Sequence, residues 1–154
     1  MANSPKSSPK TRRPGALEEQ VFVNLTLTSD FLGRRLEPVL KAAEITPAQY
    51  NVLRILRGAP KGLSCSEIGS RMITRDPDIT RLLDRLEKRT LVSRCRETKD
   101  RRMVLTRITE PGLKLLSQLD SPVFEAHRLQ LGHLGPAKLR DLLELLEEAR
   151  TAGA

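Results

Sequence analysis

Asp84-Arg85-Leu86-Glu87-Lys88-Arg89-Thr90-Leu91-Val92-Ser93-Arg94, followed closely by Lys99-Asp100-Arg101-Arg102, is the stretch of sequence that decides the fold. It predicts an amphipathic helix that ends in basic residues, then a short strand, a tight basic turn and a second strand. A helix of this size fits the major groove of duplex DNA, and an arginine-bearing hairpin can reach beyond that groove. The stretch therefore indicates a surface that holds duplex DNA.

Two capped helices precede this stretch. Thr46-Pro47-Ala48-Gln49 and Ser64-Cys65-Ser66-Glu67 both have the form of a capping box, in which the first and fourth side chains bond to each other's backbone amides. A third short helix follows, because its apolar residues recur with the period of one helical face. The residues of that face are Ile79, Leu82, Leu83 and Leu86.

Two short strands, 91–95 and 103–108, surround a polar loop after the third helix. Three helices and a two-stranded hairpin in this order predict a winged helix-turn-helix over residues 45–108. The expected fold class is mainly α (α+β), a winged helix-turn-helix with long N- and C-terminal dimerisation helices.

Long helical patterns flank the winged region, over 16–43 and 109–154. Pro38 should kink or divide the first, and Ser121-Pro122 should bend or restart the second. Their apolar stripes would be exposed in a monomer, so we expect a homodimer, with 16–154 forming a single domain. The predicted interface residues are Leu17, Val21, Leu25, Leu139, Leu142, Leu143 and Leu146.

The composition points to a polyanionic partner. The 154 residues carry a net charge of +8, and the sequence pI is about 10.1. The excess of positive charge is concentrated in residues 71–102 and in residues 1–15, which read as a disordered basic arm. Only 3% of residues are aromatic, which gives little support to single-stranded nucleic acid stacked on aromatic rings. A basic but merely solvated surface is the alternative.

Candidate DNA contacts lie on the outer face of the third helix and in the wing. Arginine can offer two donors to guanine, and threonine can touch a thymine methyl group or a phosphate. At the wing tip, Arg102 could enter a minor groove while Asp100 holds its guanidinium. Asp78 could accept from cytosine, although we favour a role at the helix N-terminus. The predicted contacts are Thr80, Arg81, Arg85, Arg94, Arg96, Lys99, Asp100, Arg101 and Arg102.

Other classes of protein find little support. Cys65 and Cys95 make no disulfide framework or metal spacing, and His127 and His133 are too few and too far apart to hold a metal. No nucleophile with its base and no phosphate loop is visible, so we expect neither an enzyme nor a cofactor. No apolar run approaches the ~18 residues of a membrane span, and no signal core begins the chain. The cytoplasm, with no membrane partner, is the expected location.

The region from about 45 to 116 resembles the MarR family of bacterial regulators (multiple antibiotic resistance regulators). Ile45-Thr46-Pro47-Ala48-Gln49-Tyr50 resembles the family's "LTxxQ" segment, and Thr80-Arg81-Leu82-Leu83-Asp84-Arg85-Leu86-Glu87-Lys88 resembles its recognition helix. Asp100-Arg101-Arg102 fits its D-x-R wing, and Ile108-Thr109-Glu110-Pro111-Gly112 resembles its "LTxxG" segment. Four motifs in this order make a specific signal.

The resemblance implies a homodimer that binds a pseudo-palindromic operator and is released by a small molecule or an oxidant. It implies a wing pair of Asp100 and Arg102, and a pocket between the dimer helices and the winged domain in which relatives often bind phenolic or aromatic carboxylates. Thr90 departs from the family, which usually has glycine there. Glycine suits a left-handed helix stop, so the turn either takes another form here or is strained.

Two functions remain open. The leading hypothesis is a dimeric, sequence-specific repressor that binds double-stranded DNA and responds to an unidentified small-molecule effector. The alternative is a non-specific architectural or RNA-binding protein, which the charge alone supports. For sensing, Cys65 at a helix N-terminus could have a lowered pKa, but its place on an apolar stripe favours an inert buried thiol. Oxidation of Cys95 in the wing strand could disturb DNA contact.

Overall fold

The computed structural model describes residues 15–96 and 103–151, and it has the predicted mainly helical winged architecture. The predicted basic arm, apart from Gly15, lies outside the described residues, as does the predicted wing tip with Lys99, Asp100, Arg101 and Arg102. The elements, in chain order, are α1 (Ala16–Ala42), α2 (Pro47–Arg57), α3 (Cys65–Arg71), α4 (Ile79–Lys88), β1 (Val92–Arg96), β2 (Val104–Ile108), α5 (Glu110–Leu131), a 3-10 turn (Gly132–Leu134) and α6 (Gly135–Thr151).

The chain divides into two compact units, Met1–Arg34 and Arg35–Ala154. The boundary falls inside α1, so the first unit contains the N-terminal part of that helix. The second contains the winged helix-turn-helix together with α5 and α6. The expectation of a single domain over 16–154 stays a prediction.

Neither internal proline divides its helix. Division at Pro38 and a restart at Pro122 are wrong, because α1 and α5 each continue through their proline. The alternatives, a kink at Pro38 and a bend at Pro122, stay predictions. An internal proline costs a helix about 3 kcal/mol. Tertiary packing offsets this cost, since Leu40 follows Pro38 into the core, and Leu119 and Val123 are buried on either side of Pro122.

The predicted caps of the short helices are present. Thr46 and Ser64 each accept from the amide three residues on, and Gln49 and Glu67 bond back to the capping amides. Capping in this form satisfies amides that the first helical turn would otherwise leave without partners. It also fixes where α2 and α3 begin, and therefore how their apolar faces meet.

The core of the second unit lies beneath α4. The predicted leucines Leu82, Leu83 and Leu86 are all buried, and Ile79 packs at the edge of the same cluster. Burial stabilises each such leucine by about 1.5–3 kcal/mol relative to exposure. The fully buried side chains around them come from several elements. They are Leu40, Val52, Leu53, Leu56, Ile68, Val92 and Leu116.

The wing is an antiparallel pair in which Val92 lies opposite Ile108 and Arg96 opposite Val104. Leu63, in the loop before α3, adds an isolated bridge to Thr106, with backbone N–O distances of 2.8 and 3.0 Å. The base of the hairpin is therefore held on the helical core.

The turn from α4 into the wing is strained, which is one of the two alternatives that the sequence left open for Thr90. Thr90 has φ +58°, a left-handed conformation in which a β-branched residue is rare. Its amide bonds to the Glu87 carbonyl at 2.8 Å, and the Leu91 amide bonds to the Leu86 carbonyl at 3.0 Å. These two bonds define a Schellman helix stop, which normally carries glycine at this position. Leu86 and Leu91, both buried, supply its usual apolar contact.

Thr90→Gly is expected to raise the free energy of unfolding by about 1 kcal/mol, because glycine lacks the Cβ that a left-handed backbone crowds. Denaturant unfolding of the full chain measures this change. Thr90→Ala is the matched control, since it keeps the Cβ and should recover at most a small part of the gain. A Thr90→Gly variant no more stable than wild type would show that this turn carries no strain.

Candidate nucleic-acid interface

The outer face of α4 presents three of the predicted contacts to solvent. Burial of the leucine face leaves Thr80, Arg81 and Arg85 exposed on the opposite side. Thr80 lies in the first turn, and its Oγ1 is 4.0 Å from Sγ of Cys65 on α3. Arg85 is exposed and forms no ion pair with another described residue. The helix thus offers hydroxyl and guanidinium donors of the kind that read base edges in a major groove.

Asp78 is the N-cap of α4, in keeping with the preferred sequence interpretation. Its Oδ1 accepts from the Arg81 amide at 3.1 Å, and its Oδ2 lies 3.3 Å from Nε of Arg81. The Asp78 amide in turn donates to Oδ1 of Asp76 at 2.9 Å. The first turn of α4 therefore has both an ordered backbone and a carboxylate beside an arginine that is predicted to contact DNA.

Arg94 on β1 is held by two carboxylates of α4. Its Nε and Nη2 lie 2.9 and 2.6 Å from Oε2 of Glu87, and Nη2 lies 2.5 Å from Oδ1 of Asp84. The Arg94 amide also donates to Oε1 of Glu87 at 3.1 Å. The side chain is only 27% exposed. These contacts favour a positioning role, in which Arg94 joins the wing to the recognition helix; direct contact between Arg94 and DNA stays a prediction.

The charges of this cluster stabilise one another. The hydrogen bond from Arg94 holds the pKa of Glu87 below its ordinary value, even though partial burial opposes the shift. The bonds to Glu87 and then Asp84 raise the pKa of Arg94. The sequence did not predict Asp84 or Glu87 as a partner of Arg94. The available signal was an acid in the last turn of a helix, followed by an arginine in the next strand.

Arg96 is exposed at the end of β1, next to the wing tip. Cys95 beside it is exposed, whereas Cys65 is half-buried against the core. The described residues contain no group of three or more side chains that could hold a metal ion. No helix in the described part of the chain is long and apolar enough to cross a membrane.

The predicted dimer-interface residues of the flanking helices are exposed or half-buried in the single chain. Leu17, Val21 and Leu25 of α1 are exposed, and α6 has no buried residue over its whole length. Leu142 and Leu143 are exposed, while Leu139 and Leu146 are half-buried.

A winged helix-turn-helix with a basic recognition helix defines a class of DNA-binding transcriptional regulators. The model of the MarR family matches residues 45–104. The transcriptional regulator FarR of Neisseria gonorrhoeae is 31% identical over 129 residues, which cover 83% of this chain and 87% of FarR. The homoprotocatechuate degradative operon repressor of Escherichia coli is 28% identical over 111 residues, 72% of this chain and 74% of that repressor. The chain therefore belongs to the MarR family.

Solved structures agree with this assignment. A MarR transcription factor from Planctomyces limnophilus is 36% identical, with a TM-score of 0.66 over 92% of this chain and 98% of its own. A MarR-like regulator from Bacillus cereus shares the fold, with a TM-score of 0.81 at 18% identity over 90% of this chain and 99% of its own. The curated relatives are regulators of transcription rather than enzymes, as the sequence led us to expect.

Arg94→Gln is expected to lower the free energy of unfolding near pH 7 by up to about 1 kcal/mol, because it leaves two carboxylates of α4 without a cation. The pKa of Glu87 is lower in the folded chain than its ordinary value of 4.5, so its contribution is complete above pH 4.5. That contribution disappears as the pH falls through the folded pKa. The difference in free energy of unfolding between wild type and Arg94→Gln should therefore become smaller in acid.

Urea unfolding at several pH values measures that gap. Arg128→Gln is the control, because Arg128 pairs with Glu125 one turn away on the exposed surface of the same helix. Arg128→Gln should lower the free energy of unfolding much less than Arg94→Gln does at every pH. A gap for Arg94→Gln that stayed constant from pH 7 to pH 3.5 would contradict an electrostatic role for this cluster.

Proposed function

We propose that this protein is a homodimeric repressor that binds specific sites on double-stranded DNA and is released by a small ligand. The observation that carries the proposal is the division of α4 into a buried leucine face and an exposed face with Thr80, Arg81 and Arg85. The cytoplasm is the proposed location, since a repressor acts on genomic DNA. Membership of the MarR family supports the regulatory role.

In this proposal α4 enters the major groove and the wing reaches the adjacent minor groove. Support for the wing comes from its basic residues: Arg96 is exposed, and the tip sequence adds Lys99, Arg101 and Arg102. Arg102 would enter the groove with Asp100 as its ion-pair partner. The pairing of β1 with α4 through Arg94 would hold the two reading elements at a fixed separation.

Support for the dimer comes from apolar surface that the monomer leaves in water. Phe22 of α1 is 70% exposed, and Leu143 of α6 is 54% exposed. Leu17, Val21 and Leu25 of α1 and Leu142 of α6 are exposed as well. A soluble monomer rarely exposes this many large apolar side chains. A second copy of the chain would cover them. Twofold symmetry would then place two copies of α4 about one turn of DNA apart.

Support for a ligand comes from two open grooves in the second unit, about 340 and 380 Å³ in volume. They lie between the C-terminal part of α1 and the middle and C-terminal parts of α5. These volumes suit small molecules. The walls are mainly apolar, with Val39 and Pro122 common to both grooves. A ligand held there would contact α5, the long helix that begins immediately after the wing.

Selection of bound fragments from a sheared genome by the purified chain tests the proposal. We expect enrichment of a few sites that share a pseudo-palindrome and are preferred about 1,000-fold or more over random duplex. Genes beside those sites suggest candidate effectors, each of which can be titrated against the protein–DNA complex. Uniform recovery of all fragments would contradict the proposal and favour the architectural alternative.

Arg85→Ala is expected to weaken binding to a selected site by about 1–3 kcal/mol, because an exposed guanidinium on the proposed reading face is lost. Fluorescence anisotropy with a labelled duplex measures the change. Arg128→Ala removes an equal charge from α5 and should have little effect. Equal affinities for the Arg85 variant and wild type would contradict α4 as the reading helix.

Leu143→Glu is expected to shift sedimentation from dimer towards monomer, because it introduces a charge into the proposed apolar interface. Leu145→Glu is the matched control on another side of α6. Circular dichroism of both variants confirms that the winged region remains folded. A Leu143→Glu chain that sediments as wild type would exclude this side of α6 from an interface.

A further inference from the structure

We propose that Asp78 is a positioning residue for base readout: it holds Arg81 so that the terminal nitrogens of the guanidinium meet the edge of a guanine. The inference rests on the proposed function and adds one base-reading pair to it. Asp78 would thus act through Arg81 rather than by touching DNA, in addition to capping α4.

The geometry around Asp78 uses both oxygens of its carboxylate for one residue. Oδ1 takes the Arg81 amide at 3.1 Å, and Oδ2 faces Nε of the same arginine at 3.3 Å. Pairing through Nε leaves the edge formed by the two terminal nitrogens of the guanidinium for another acceptor. Both side chains remain exposed, Arg81 at 71% and Asp78 at 51%, so a ligand can reach the pair.

Guanine displays N7 and O6 as neighbouring acceptors in the major groove, and two parallel arginine donors match them. The two terminal nitrogens of Arg81 form such a fork. A tethered arginine loses fewer rotamers on binding than a free one, and that difference strengthens recognition of the one base placed correctly. The ion pair itself contributes little to the stability of the fold at this exposure. The ion pair therefore acts mainly by orienting the Arg81 guanidinium.

Three arginines on this surface have different surroundings. Two carboxylates hold Arg94 against the wing, whereas Arg85 forms no ion pair with any other described residue. Arg81 lies between these extremes, with one carboxylate and an open side. The negative charge of Asp78 also disfavours close approach of a phosphate. This combination suits a base edge better than the DNA backbone.

Selection from a library of duplexes with a randomised core tests the proposal without an identified operator. The full chain is used as wild type, Asp78→Asn, Asp76→Asn, Arg81→Lys, Arg81→Ala and the double variant with Asp78→Asn and Arg81→Ala. Asparagine at 78 still caps the helix but cannot pair with a cation. Asp76→Asn is the matched control, because Asp76 contacts the Asp78 amide and not the Arg81 guanidinium.

At the base pair where Arg81→Lys loses its guanine preference, Asp78→Asn should lower that preference about tenfold, within the range for a bidentate contact. Removal of the carboxylate should leave affinity for random duplex unchanged or higher. Asp76→Asn should likewise leave affinity for random duplex unchanged or higher, but it should keep the guanine preference. In an Arg81→Ala background, Asp78→Asn should have no further effect at that base pair.

Wild-type preference retained by Asp78→Asn would overturn this inference and leave the proposed function intact. A loss of preference at every position, together with a lower unfolding midpoint, would show a capping role only and would also overturn it. Failure of wild type to enrich any sequence would contradict the proposed function itself, and the inference with it.

Discussion

The burial of one face of α4 is the constraint on which the rest of the interface depends. Leu82, Leu83 and Leu86 occupy the core, and a rotation of the helix that exposed them would cost several kcal/mol. The positions of Arg81 and Arg85 on the outer face follow from this burial, and the contact with Asp78 then orients the Arg81 side chain. The backbone of the proposed reading face is therefore fixed by the core beneath it.

The wing takes its direction from the same helix. The left-handed turn at Thr90 ends α4, and the chain enters β1 two residues later. The Thr109 hydroxyl, which caps α5, donates to the Thr90 carbonyl at 2.6 Å. A Cβ on Gly112 would lie 2.3 Å from the Leu91 carbonyl oxygen, so only glycine lets α5 approach this turn. Short contacts thus join the recognition helix, the wing and the start of α5.

A second connection runs from α2 to α5. Nη1 of Arg57 lies 2.9 Å from both carboxylate oxygens of Asp120, and the two residues are 63 positions apart in sequence. Together with the contacts around Thr90, it joins the winged core to the long helix at two separated points. A change in the position of α5 would therefore bear on both α2 and the base of the wing.

Much of the fold could be predicted from sequence because its signals are local. The capping boxes at Thr46 and Ser64 and the leucine period of α4 depend on neighbours within one helical turn, and the structure confirms them. Whether Pro38 divides α1 or leaves it continuous could not be decided from sequence, since distant core contacts outweigh a local rule. The partnership of Arg94 with the acids of α4 was missed for a related reason. It arises only when the Thr90 turn brings strand and helix side by side.

The central claim is that α4 reads bases in the major groove. Interference by guanine N7 methylation on a selected duplex tests it most directly, because N7 lies in that groove. Two copies of α4 should give two groups of sensitive guanines, centred about 10 base pairs apart, one helical turn. Absence of any sensitive guanine on a bound duplex rich in guanine would contradict readout by α4. A single group would contradict the proposed dimer.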